Sequence, residues 1–238
     1  MRVLYIFPHP DDESFGPARA MFKQRREGHE VFLLTLTKGG ATRQRHKYGF
    51  SIEEMGAVRL EEMRQVARVL DLSGMTVLDL PDSGLKEMDP REVEVLVRDE
   101  IERLRPHAVV TYPVHGISGF HDHLVTHAVV KRAYVERRTD VPNLQRLAFF
   151  TITEAEAEQG YFRLSGSKMS EIDCVMEVDE QDLDRALGAL DCYVTFKETI
   201  EKTGIKRAQG RQVYFEFYQE AFDPPAADLF TGLAITKV

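Results

Sequence analysis

Five consecutive apolar residues, Val3 to Phe7, open the chain and stop at Pro8. A short uninterrupted run of this kind predicts a strand over 2–7. Four more short runs rich in β-branched residues follow at 30–36, 75–79, 107–112 and 147–152. Between them lie longer amphipathic stretches near 15–27, 52–71, 90–105 and 123–137; in the second, Met55, Val58, Met63, Val66, Ala67 and Leu70 recur at helical spacing. Alternation of strand and helix is the pattern of βαβ units. The predicted fold is therefore α/β, with a Rossmann-like, mostly parallel sheet and helices on both faces.

After about residue 153 the alternation weakens into the Gly/Ser stretch Leu164-Ser165-Gly166-Ser167, a strand near 172–178, a helix near 180–193 and an aromatic run from Val213 to Tyr218. Single α/β domains commonly reach 238 residues, so we read 1–238 as one domain. Its core is 1–152, and 153–238 is a C-terminal capping segment that covers the sheet or helps to shape the pocket. The linker 37–50 is long for a compact α/β unit, and long loops often carry function. Its basic residues Lys38, Arg43, Arg45, His46 and Lys47 suggest a lid that favours anionic groups on a substrate.

Composition narrows the partners. With 39 acidic and 31 basic residues the formal charge is −8, which argues against a nucleic-acid backbone or an anionic membrane and in favour of a small molecule. The first apolar run is too short for a secretory core or a membrane span, so a cytoplasmic protein is expected; a homo-oligomer is compatible with this reading. Cys174 and Cys192 are too far apart for a CxxC motif and read as reduced thiols.

The chemistry concentrates where the strands end. Open parallel sheets bind ligands beyond the carboxyl ends of their strands, at the point where the strand order reverses. Pro8-His9-Pro10-Asp11-Asp12-Glu13 lies at that end of the first strand. Pro10 cannot continue a strand, and the turn it forces can bring His9 and Asp12 to one point, an imidazole and a carboxylate suited to zinc. A catalytic zinc takes a third protein ligand and leaves one position for water. His123, in Gly119-Phe120-His121-Asp122-His123 just after the strand Val109 to Tyr112, is the best candidate, because a reversed order puts that strand beside the first. Three adjacent acids repel one another unless a cation neutralises them. Asp122 can orient a metal-bound histidine or cap the helix that follows it. For His127, on the same helix face as His123, a ligand, a supporting group and a plain helix residue all remain open.

Assembled in this way, residues 2–135 resemble the LmbE-like / PIG-L family of zinc-dependent N-acetylglucosaminyl deacetylases. Pro8-His9-Pro10-Asp11-Asp12-Glu13 is similar to that family's (A/P)HPDDE signature, and Phe120-His121-Asp122-His123 to its later HPDH motif. The resemblance implies His9, Asp12 and His123 as zinc ligands and Asp11 as general base. Phe120 replaces the leading histidine of HPDH, a residue that helps stabilise the transition state or protonate the leaving group. His121 takes the place of the proline, and becomes the alternative proton donor. By the same resemblance Arg59 and Asp82 contact the sugar of a small-molecule sugar conjugate; read on their own, Arg59 and Glu62 form an ordinary helix pair and Pro81-Asp82-Ser83-Gly84 a turn.

Two other classes stay in view. Paired carboxylates after a first strand also suit a Mg²⁺ phosphohydrolase, although imidazole favours zinc or iron over magnesium. A non-catalytic metal- or sugar-binding module is the reading that Phe120 encourages, while the retained Asp11 speaks for turnover.

Overall fold

The computed structural model describes residues 1–234. Its strands are β1 (Arg2–Phe7), β2 (Glu30–Thr37), β3 (Gly74–Leu80), β4 (Ala108–Thr111), β5 (Arg146–Thr151), β6 (Cys174–Glu177) and β7 (Gln212–Phe217). They form one sheet in the order β3-β2-β1-β4-β5-β7-β6. From β3 to β5 every pairing is parallel, and β7 then runs antiparallel to both β5 and β6. The helices are α1 (Asp12–Phe15), α2 (Ala18–Arg26), α3 (Arg45–Tyr48), α4 (Ile52–Val69), α5 (Pro90–Leu104), α6 (His121–Arg137), α7 (Glu154–Gln159), α8 (Glu180–Cys192), α9 (Lys197–Thr203) and α10 (Ile205–Ala208).

The uniform hydrophobicity of β1 follows from its central place. Val3, Tyr5 and Phe7 pack with residues of α2, α4 and α8, whereas Leu4 and Ile6 face α5 and α6. All five are fully buried, so β1 is apolar on both faces rather than alternating. Each such side chain contributes roughly 1.5–3 kcal/mol of hydrophobic stabilisation. Local signals start the long helices. Ser51 and Glu54 exchange hydrogen bonds in a capping box before α4, and Asp89 caps α5 with Pro90 in its first turn.

The C-terminal part does more than cover the sheet. It adds β6 and β7 to one edge, and α8 lies against α2 and α4. The chain leaving α8 passes the carboxyl end of β1, where the Tyr193 hydroxyl accepts a hydrogen bond from the Asp11 amide at 2.8 Å. The 37–50 linker folds back onto that region: Gln44 donates to Thr199 at 3.0 Å, Lys47 pairs with Glu198, and Lys38 pairs with Asp79 at 2.8 Å. Two of the five basic residues expected to attract anions are thus already neutralised by protein carboxylates. Among the described residues no helix is long and apolar enough to cross a membrane.

Candidate metal centre

β1 and β4 are neighbours in the sheet, with Tyr5 opposite Val110, and the strand order reverses between them. The two segments that follow these strands therefore converge on one crevice. β1 ends at Phe7, before Pro8 and not at Pro10; the chain bends through Pro8 and His9, and Asp11 turns through a left-handed conformation (φ 87°), so that α1 begins at Asp12. After β4, the turn through Gly116 (φ 64°) brings α6 back over the strand ends. At Gly116 a side chain is excluded, since a Cβ would lie 2.9 Å from that of His123.

His9, Asp12 and His123 each present one potential ligand atom to a common point, all within 4.8 Å of one another. His9 Nδ1 is 3.6 Å from Asp12 Oδ2, and His123 Nε2 is 3.4 Å from Asp12 Oδ1. Those gaps are longer than ordinary hydrogen bonds and leave room for an ion between the two rings and the carboxylate. The far side of each ring fixes its tautomer. His123 Nδ1 lies 2.9 Å from the Gly116 carbonyl, which can only accept, so this nitrogen carries the proton and Nε2 keeps its lone pair. His9 Nε2 lies 3.1 Å from Asp122 Oδ2, so in the neutral ring Nδ1 is the nitrogen left to face Asp12. Two imidazole nitrogens and a carboxylate gathered at one buried point are surroundings that a cation suits.

Asp12 is braced for this position. Its Oδ2 accepts from the His9 amide at 2.9 Å and its Oδ1 from the Tyr112 hydroxyl at 2.8 Å. Burial pushes the Asp12 carboxyl up, but positive charge on the His123 and His9 rings, which a bound cation would replace, more than reverses that and holds it below the ordinary carboxylate range. The Tyr112 ring also stacks on His123 at 4.3 Å between centroids, 8° from parallel. Burial pushes the Tyr112 hydroxyl well above its usual range and keeps it a donor. Neither Tyr112 nor the Gly116 carbonyl was anticipated from the sequence. Position was the available signal for Tyr112, since it stands at the carboxyl end of a strand next to β1.

A second group, His9 with Asp82 and Asp122, also has three candidate atoms close together. Its carboxylates, like that of Asp12, accept hydrogen bonds: Asp122 accepts from the amides of Ser83 (2.8 Å) and Leu85 (3.2 Å), and Asp82 from the Ala41 amide (2.6 Å). These bonds fasten the loop after β3 and the 37–50 linker around His9, and His9 already directs Nε2 at Asp122. That contact closes the second group at 3.1 Å, whereas the candidate atoms of the first stand 3.4 and 3.6 Å apart, and the first group is the better metal cage.

Most of the other expected site residues have protein partners. Asp122 orients His9 and caps the 83–85 turn, not its own helix. Asp82, expected at the sugar, holds the Ala41 amide and comes within 3.4 Å of His9 Nε2. Arg59 is 3 % exposed and spends its guanidinium on the Gly39 carbonyl (3.1 Å), the Pro10 carbonyl (2.7 Å) and Asp11 Oδ2 (2.6 Å), with the Phe196 ring 4.0 Å below it. It lies behind Asp11, with both terminal nitrogens committed to these three acceptors. Burial pushes the Asp11 carboxyl up to about 6, a rise that Arg59 moderates. His121 is exposed at the first turn of α6 and, among the described residues, makes no side-chain hydrogen bond. Phe120, 64 % exposed, meets the His123 ring edge-on at 5.6 Å. His127 turns away, with Nδ1 2.9 Å from the Tyr112 carbonyl and its ring against Phe149.

An open α/β sheet with imidazoles and carboxylates gathered beyond its switch point defines a Rossmann-like protein whose chemistry sits at the carboxyl edge of the strands. The chain belongs to the PIG-L family, described as GlcNAc-PI de-N-acetylase, whose profile matches residues 4–134. It is 30 % identical over 142 residues to the probable N-acetyl-alpha-D-glucosaminyl L-malate deacetylase 2 of Bacillus subtilis (strain 168), a match that covers 59 % of this chain and 64 % of that relative. The match thus spans less than two thirds of the relative's own length. In fold, the chain is similar to a deacetylase of the teicoplanin biosynthesis pathway (TM-score 0.72, 15 % identity, 91 % of this chain and 97 % of the other). It is similar too to the 4-carboxy-2-hydroxymuconate hydratase GalB of Pseudomonas putida KT2440 (TM-score 0.69, 13 % identity, 93 % and 97 %). One fold therefore serves both a deacetylase and a hydratase, and the reaction must be argued from the site.

Proposed function

We propose that this chain is a zinc-dependent hydrolase that removes the N-acetyl group from an N-acetylglucosamine-type sugar conjugate. In this reading His9, Asp12 and His123 hold the metal and Asp11 is the general base. The observation that carries it is the pair of imidazole nitrogens converging on Asp12, with the neighbouring Asp11 carboxylate held by Arg59 and left out of the cage. Family membership and the deacetylase relative supply the N-acetyl specificity.

A divalent ion held by His9, Asp12 and His123 would keep a net positive charge and would supply Lewis-acid chemistry, making water acidic enough to attack at neutral pH and polarising the amide carbonyl. Asp11 takes the proton of the attacking water. Its carboxyl, raised by burial, holds that proton and returns it to the departing amine. Asp11 is better placed for the return than His121, which stands exposed at the start of α6. Asp122 and the Gly116 carbonyl keep both ligand rings in the tautomer that faces the cage.

The test is acetate release from a panel of N-acetylglucosaminyl conjugates, with and without a chelator. Metal-dependent release from at least one conjugate is expected, and none from any would overturn the reading. Asp11→Ala should lower release about a hundred- to ten-thousandfold and leave the metal content at the wild-type value. Phe120 favours a second reading, a binding module without turnover. A large gain from Phe120→His over a near-zero baseline would support it; with Asp11 returning the proton, that variant stays within about tenfold of wild type.

A further inference from the structure

Asp11 is gripped from two sides by a single short segment far along the chain, the junction 193–196 between α8 and α9. From one side, the Tyr193 hydroxyl accepts the Asp11 amide at 2.8 Å and donates to Glu13 Oε1 at 2.7 Å. From the other, the Phe196 ring underlies the Arg59 guanidinium at 4.0 Å, and Arg59 holds Asp11 Oδ2. The junction itself is pinned to α4 by Glu62, whose two oxygens accept from the Thr195 amide (2.7 Å) and hydroxyl (2.8 Å). Tyr193, Glu13, Arg59, Glu62 and Thr195 are all buried.

The physical need for such a grip lies in the Asp11 backbone. At φ 87° it occupies a region that a residue with a side chain enters at a cost of about 1–3 kcal/mol, and which persists only when its surroundings hold it. The turn also points the Asp11 amide out of α1. With no partner a buried amide costs free energy, and the Tyr193 hydroxyl is the partner it has. The hydroxyl cannot rotate away, because its own proton is committed to Glu13.

We propose that Tyr193, Thr195 and Phe196, all outside the matched region 4–134, are positioning residues for the general base. Tyr193 sets the Asp11 backbone, Phe196 sets Arg59 against the Asp11 carboxylate, and Thr195 with Glu62 fixes the junction that carries both. The 153–238 part then completes the active site rather than only enclosing it. This inference rests on the role proposed above for Asp11.

The test uses the full-length, metal-loaded protein and whichever N-acetylglucosaminyl conjugate the wild type turns over fastest. Tyr193→Phe keeps the ring and deletes the hydroxyl, and misplacement of the base on this scale should lower kcat about ten- to a hundredfold. KM should stay within about twofold and the metal content should not change. Placed on an Asp11→Asn background, the same substitution should alter the residual rate less than about twofold, because its effect passes through Asp11. Thr195→Val and Phe196→Leu, which leave the Asp11 amide bond intact, should lower kcat in the same manner if Tyr193→Phe folds poorly. Unchanged kcat in correctly folded variants, or an equal loss on the Asp11→Asn background, would overturn the proposal. A wild type inactive on every conjugate would count against the deacetylase reading alone. Positioning would then be judged from a crystal structure of Tyr193→Phe, where an unmoved Asp11 turn and carboxylate refutes it and a displaced one supports it.

Discussion

Replacing Arg59 by methionine separates a buried partner of Asp11 from a sugar contact. The substitution removes donors to Gly39, Pro10 and Asp11 and leaves the Asp11 carboxylate buried without its cation. Breaking a buried ion pair by deleting one partner costs about 3–5 kcal/mol. For a domain of this size 1 kcal/mol moves Tm by roughly 2–4 °C, so a fall of roughly 6–20 °C is expected. The second consequence is electrostatic. Burial already pushes Asp11 up to about 6, and Arg59 is the largest influence holding it down. Without Arg59 the folded-state value rises further above that of the unfolded chain. Asp11 then becomes the ionised base only at higher pH, and the acidic limb of kcat/KM shifts upward. Calorimetry gives the first quantity and an acetate-release profile from about pH 5 to 9 the second. An Arg59→Met protein with wild-type Tm and pH limb but a raised KM would refute the buried placement and restore Arg59 to the sugar.

Asp122→Asn should weaken metal binding about ten- to a hundredfold, read by competition with a chromophoric chelator, because it loosens the tautomer and orientation of His9; wild-type affinity would contradict the role assigned to the 3.1 Å contact. Gly39→Ala should destabilise the fold and cut turnover with little change in metal content. Gly39 adopts φ 65°, and a Cβ there would fall 2.3 Å from Arg59 Nη1, so the guanidinium must leave Asp11; a variant with wild-type stability and rate would contradict this packing.

The parallel core was readable because its signals are local. β1 is apolar throughout since helices cover both of its faces, and the core face of α4 repeats at helical spacing between a capping box and Leu70. The convergence of His9 and Asp12 with His123 was also accessible, because the residues immediately following β1 and β4 must meet once those strands pair. What stayed hidden depends on contacts across long stretches of chain. Nothing near Tyr193 marks it as the partner of an amide 182 positions earlier. Likewise, helix spacing suggested an exposed Arg59–Glu62 pair, yet packing sends Arg59 to Asp11 and Glu62 to Thr195. The antiparallel attachment of β7 to β5 has no local signature either. The short helices α3, α7, α9 and α10 are too brief for periodicity to register.

Where the metal binds is tested most directly by anomalous diffraction at the zinc edge, from crystals of protein loaded with one equivalent of zinc. A single peak bounded by His9 Nδ1, Asp12 and His123 Nε2 is expected, with Asp11 outside coordinating distance. A peak on the other side of the His9 ring, between Nε2, Asp82 and Asp122, or no peak at either place, would contradict the proposed centre.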